Sequence, residues 1–273
     1  MDVEREIARL ADDRRQAMHR LAFFDAEVWL GKPVGFPLAL EMSREGLASA
    51  LAAQGITGCC HSHWSGHSVS AQEGNRALLA EARDAGPGFH AIWTGLPLFP
   101  AEDGLLPGGS DPPQSVCGVR LFPKTHNYPL SDWVVGGMCE WLISHRLPLL
   151  IWHEETGWDS LRALAVTFPG LTIVVETQIR KVFYHLRPLF ALMRECPNVL
   201  LETSNLTGID SVAFAVRAFG AERLLFGSFL PANDPLAAMG IIADADISEE
   251  EKRLVAGGNL RRLIDRLIDG RAP

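Results

Sequence analysis

A set of ionisable side chains stands at or just past the ends of short apolar runs, and these are the residues best placed to do chemistry. They are Glu27, His61, His63, Arg120, Lys124, His153, Glu154, Glu176 and Glu202. Both charge signs around one cavity place an acid beside a base and drive their pKa values apart, as general acid–base catalysis requires. On that reading His61, His153, Glu154 and Glu176 are the catalytic candidates. Arg120 and Lys124 would clamp a carboxylate or phosphate, Arg120 through a bidentate grip. Glu202 would complete the substrate site, with Trp93 and Trp152 as an apolar wall that accepts an aromatic ring.

Each of these residues also has a plainer role. Arg120 can simply pair with Glu176 or Glu202, since a carboxylate ending an apolar strand is costly unless it is paired. Lys124 suits a solvated turn, and Glu155 and Thr156 suit the first turn of a following helix. Trp29 can be a space filler. His61-Ser62-His63 has strand period two, which puts both imidazoles on one face. With Glu27, and His67 reaching in from the loop, that face makes a divalent metal (Zn²⁺) site the second reading, against a solvated loop as the bland one.

The elements that must position these groups alternate along the chain. Apolar runs of strand length fall at 23–29, 55–61, 89–96, 116–122, 148–152, 171–176, 199–202 and 224–226. Helical patterns fall between them at 43–54, 73–85, 132–145, 159–168, 184–195 and 208–219, with further helices at 1–21, 234–243 and 248–268. Helix 1–21 is expected to pack through one stripe of Ile7, Leu10, Met18 and Leu21. Ser43 reads as an N-cap, and Ser248 with Glu251 as a capping box. Residues 98–115, rich in Pro, Gly and Asp, read as a loop. Strand and helix alternating at this interval predict an α/β fold, a (β/α)8 TIM barrel, as one domain over 1–273. In such a barrel the strand C-termini carry the chemistry.

Particular stretches resemble the amidohydrolase superfamily, in the branch that includes aminocarboxymuconate-semialdehyde decarboxylase. These are Arg223-Leu224-Leu225-Phe226-Gly227-Ser228-Phe229-Leu230-Pro231, Gly118-Val119-Arg120-Leu121-Phe122-Pro123, Leu147-Pro148-Leu149-Leu150-Ile151, Cys196 to Ser204, and Gly257-Gly258-Asn259-Leu260-Arg261-Arg262-Leu263. The resemblance runs from about Phe24 to Leu263 and implies a hydrolase or decarboxylase acting on a small, anionic organic molecule. It also implies a homodimer, for which the sequence names no interface. It further implies a metal held by a His-x-His on the first strand, a His on the fifth, one on the sixth and an Asp on the eighth. Those positions are here Glu27 and Trp29, Trp152, Glu176 or Thr177, and Phe229. The expectation is therefore a degenerate site with no cofactor, worked by carboxylate and imidazole groups. A non-catalytic descendant that binds a ligand or partner is the alternative.

The totals restrict the partners. With 47% hydrophobic and 21% charged residues the composition is that of a globular protein. A net charge of −8 with scattered basic residues argues against nucleic acid. The chain has no apolar run long enough to span a bilayer and no signal-peptide pattern at its start, so no membrane is expected. Cys59, Cys60, Cys117, Cys139 and Cys196 form an odd set with no CxxC, which reads as free thiols in the cytoplasm.

Overall fold

The computed structural model describes residues 3–34, 41–82, 88–97, 112–177 and 182–269. The strands are β1 (Asp25–Leu30), β2 (Cys59–His63), β3 (Phe89–Gly95), β4 (Val116–Leu121), β5 (Leu149–Trp152), β6 (Ile173–Glu176), β7 (Val199–Glu202) and β8 (Leu224–Leu225). They lie in sequence order in one eight-stranded sheet, each parallel to the next. β8 is only two residues long, yet the chain beyond it continues along β1. Phe226 O accepts from Ala26 N at 2.8 Å, Glu27 O from Phe229 N at 2.9 Å, and Leu230 O from Trp29 N at 2.9 Å. These bonds close the sheet into the TIM barrel expected from the alternation.

The helices are α1 (Val3–His19), α2 (Arg44–Gln54), α3 (Trp64–Ser68), α4 (Ala71–Ala82), α5 (Asp132–Ser144), α6 (Trp158–Thr167), α7 (Val182–Glu195), α8 (Ser211–Phe219), α9 (Pro235–Ala243), α10 (Glu249–Arg253) and α11 (Asn259–Asp269). Local chemistry fixes several of their ends. Ser43 caps α2 by accepting from Gly46 N at 3.1 Å. Ser248 and Glu251 form the reciprocal capping box of α10. Gly55 ends α2 in the left-handed conformation (φ 69°), where a Cβ would be strained.

Two apolar clusters result. The main one lies where helices cover the barrel and includes Val28, Val119, Ile151, Val175 and Leu201. The smaller one is purely aromatic: Trp29, Trp64, Phe122, Trp152 and Phe229.

The structure departs from the sequence reading in three places. Only Met18 and Leu21 of the α1 stripe are buried; Ile7 and Leu10 are 61% and 54% exposed, so the stripe packs only at the C-terminal end of the helix. The single helix expected over 248–268 is two, joined by a π-helical stretch at Leu254–Gly258. The Asn259 side chain there donates to Ala221 O and Leu224 O, docking α11 against the base of β8. α3 was hidden within a stretch that reads as loop. Residues 98–111 of the expected 98–115 loop fall outside the described residues.

Candidate active site

Strand alternation on β1 turns Asp25, Glu27 and Trp29 toward one side, where they meet the ends of β4 to β7. At the centre is Arg120, fully buried. Its Nε donates to Glu176 Oε2 at 2.8 Å and its Nη2 to Glu176 Oε1, a bidentate fork. Nη1 donates to the Ser62 hydroxyl, and the guanidinium carbon lies 4.7 Å from the centre of the Trp29 ring. The plainer of the two sequence readings for Arg120, pairing with Glu176, is thus what the fold contains.

Two more carboxyls complete the cup. Glu27 Oε1 accepts from Trp152 Nε1 at 2.8 Å. Glu202 accepts from Thr177 N at 3.1 Å and from Ser204 N. The Ser204 hydroxyl lies 3.0 Å from Glu202 Oε2 and 3.4 Å from Glu27 Oε2. A hydroxyl has one proton to give, so a protonated carboxyl on one side is needed to satisfy both contacts. One layer down, Asp25 Oδ1 accepts from Glu27 N at 3.0 Å and Ser228 N at 2.9 Å.

Three fully buried acids around one arginine, with buried Asp25 beneath them, cannot all stay ionised at neutral pH. Burial pushes Asp25 up to about 7 against its hydrogen bonds to Ser228 and Glu27. Burial also raises Glu27, although the Arg120 charge and the Trp152 indole oppose it. Glu202 is driven well above the carboxylate range by burial and by its neighbours Glu27 and Glu176. Glu176 is raised by burial too, and the Arg120 guanidinium is the main force holding it ionised.

Over this cup the aromatic cluster closes. Trp29 stacks on Trp64 with ring centres 4.3 Å apart, Trp152 lies 5.3 Å from Trp29, and Phe229 meets Trp152 at 5.9 Å. All five rings are 0–2% exposed. Phe229 occupies the left-handed region at φ 60°, a strained conformation for a bulky residue that aims its ring into the cup. His67, from α3, adds its ring at 4.8 Å from Phe122 and 5.1 Å from Trp152. Burial pushes that imidazole down to about 4.

Of the residues singled out from sequence, Glu27, Arg120, Trp152, Glu176 and Glu202 come together here. The others do not. Ser62 faces Arg120, so His61 and His63 on either side of it share the outer face of β2. His61 packs edge-on to Phe89, and burial lowers it to about 4. His63 caps α3 by accepting from Ser65 N. Neither imidazole joins Glu27 in a metal site. Trp93 pairs in register with Val119, beside Arg120 but on the opposite face, and packs in the main core. The His153 ring stacks on Trp158 outside the cup, with Nδ1 3.3 Å from Glu176 O. Glu154 is half-buried and Lys124 exposed on their loops. Glu155 does not cap a helix: it accepts from Thr125 N and Oγ1, tying two βα loops together.

Asp25, Ser62, Ser204, Trp64 and Phe122 were given no site role from the sequence. Asp25 and Ser204 were recoverable, each being two residues from a singled-out acid on the same strand or its extension.

The donor set decides whether the metal implied by the resemblance fits. The five positions at Glu27, Trp29, Trp152, Glu176 and Phe229 offer two indoles, a phenyl and two carboxylates, Glu27 engaged by the Trp152 indole and Glu176 by Arg120. Zn²⁺ needs about three protein ligands with lone pairs, and neither an indole nor a phenyl supplies one. Among the described residues no group of three His, Cys, Asp or Glu side chains is arranged to hold a metal. The residues present do not fit the ion.

An amidohydrolase family model matches residues 61–266. The chain belongs to the amidohydrolase family. Solved structures show the same fold: an amidohydrolase from Burkholderia multivorans with bound zinc aligns with TM-score 0.68 at 17% identity, covering 89% of this chain and 99% of the other. Amidohydrolase 2 from Bifidobacterium longum subsp. infantis gives 0.67 at 17%, covering 89% and 98%. A 5-carboxyvanillate decarboxylase from Novosphingobium aromaticivorans, with bound manganese and a nitrobenzoic acid, gives 0.66 at 14%, covering 90% and 98%. No curated protein matches the chain in sequence.

Proposed function

We propose that this amidohydrolase is an acid–base enzyme acting on a small organic carboxylate, with decarboxylation favoured over hydrolysis of a C–N or C–O bond. One observation carries the reading: the acid cluster around Arg120, buried at the strand C-termini. A filler core would be apolar, because burying these groups costs several kcal/mol per ion after relaxation. Retained at the catalytic end of a barrel, such a cluster marks function. A substrate carboxylate exchanges for Glu176 on the Arg120 fork, and Glu176, released from its cation and still buried, takes a proton. That proton, or one relayed through Ser204 between Glu202 and Glu27, is what the carbon left by departing CO₂ requires. The structural neighbour that decarboxylates an aromatic acid supports this choice of substrate, and the indoles of Trp29 and Trp152 suit its ring. Entry requires Trp64 and His67 on α3 to swing aside.

The tight aromatic closure favours a second reading, a non-catalytic descendant of the family. Purified protein assayed against aromatic and aliphatic carboxylates for CO₂ release, with amide and lactone hydrolysis in parallel, separates the two. We expect turnover that falls at least about a hundredfold in Glu176→Gln, the usual weight of one general acid. Turnover unchanged by that substitution rejects Glu176 as the acid, and turnover absent across the panel with no thermal shift from any carboxylate sinks the enzyme reading.

A further inference from the structure

The three glutamates of the cup have every carboxyl oxygen facing a donor without any added ion, and the reason is visible atom by atom. Both Glu176 oxygens accept from Arg120. Glu27 accepts from Trp152 on one oxygen and lies beside the Ser204 hydroxyl with the other. Glu202 accepts from Ser204 N on one oxygen, and from Thr177 N on the other, which also meets Ser204 Oγ. All of these carboxyl oxygens therefore already face a donor, and a divalent ion would have to displace several of them. The positive charge in their midst is Arg120, planar, face-on to Trp29 and forked onto Glu176. A point cation could satisfy neither contact in the same way.

We propose that Arg120 is the resident cation of this barrel, doing the charge-balancing work that a divalent metal does in the zinc- and manganese-bearing structures of the same fold, and that the cup accepts guanidinium-type cations rather than metals. The proposal is independent of whether the enzyme turns over, because it concerns what neutralises the acids, not what they react with.

Two measurements test it. Wild-type protein, purified without chelator and dialysed against Zn²⁺ or Mn²⁺, is expected to retain less than about a tenth of an equivalent by elemental analysis, far from the occupancy of a built site. Arg120→Ala is then titrated with methylguanidinium, with the neutral isostere methylurea, and with each metal, following Tm. The expected result is a rise of about 3 °C with low-millimolar methylguanidinium alone, as for a ligand that binds only the folded state. One equivalent of metal on the wild type overturns the proposal, as does an equal response to methylurea. If Arg120→Ala does not fold, Arg120→Lys and Arg120→Gln replace it. A folded Lys variant beside an unfolded or less stable Gln variant supports the role of charge, and equal stability of the two rejects it.

Discussion

The two ends of the barrel use polar side chains in opposite ways. At the base, where strands begin, a cavity of about 260 Å³ is lined by Thr172, Asn198, Leu200, Glu222, Arg223 and Arg262, among others. The half-buried donors there serve the main chain. Asn198 Nδ2 lies within hydrogen-bond distance of the carbonyls of Ala165, Phe168 and Leu171, and Arg223 donates to those of Met193, Cys196 and Val199. At the opposite end acids outnumber cations, and side chains answer mainly to one another. Donors spent on carbonyls hold a fold together; acids held near their switching point are what chemistry uses.

That contrast can be broken, and the largest effect is expected at the centre. Arg120→Met leaves buried acids without their cation and should cost about 3–5 kcal/mol in urea denaturation. Arg223→Met, at the base, removes hydrogen bonds to carbonyls and should cost about 1–3 kcal/mol. Equal losses would erase the distinction between the two ends.

The pH dependence comes next. Asp25 is raised from 3.8 to about 7, so the folded state holds its proton through a range where the unfolded chain has lost it. Stability from this group is full below its unfolded pKa and falls as pH rises toward 7. From about pH 5 to about pH 8 the loss is on the order of 2–3 kcal/mol. Asp25→Asn keeps an acceptor for Glu27 N and Ser228 N and should flatten that slope in thermal melts; an unchanged slope would place the titration elsewhere. The smallest effect is expected for Lys124→Ala, within about 0.5 kcal/mol, because the side chain is exposed on its turn. A marked loss of carboxylate binding in that variant would move the substrate out to the rim.

The fold was legible because eight apolar runs, their separations and the caps at Ser43 and Ser248 all pointed one way. The site was legible in half. Residue types located Glu27, Arg120, Trp152, Glu176 and Glu202, but the phase of alternation decides which neighbour faces inward. On β2 it is Ser62, through its bond to Arg120, that turns His61 and His63 outward. A bulge on β4 helps set the phase beside β3, pairing Trp93 with Val119 where the unshifted register would give Gly118, which is in phase with Arg120. No local pattern in the chain encodes that choice. Likewise, Trp64 and Phe122 become part of the cup only because α3 and the turn after β4 fold back over it.

The stacked indoles of Trp29 and Trp64 have one practical consequence. Aromatic chromophores held face to face couple optically, so the folded protein should show a near-ultraviolet circular dichroism signal from this spot, while Trp133, largely exposed, contributes little to it. The molecule thus carries its own spectroscopic gauge: displacing α3 to admit a guest would separate the pair and quench that band before any helix melts.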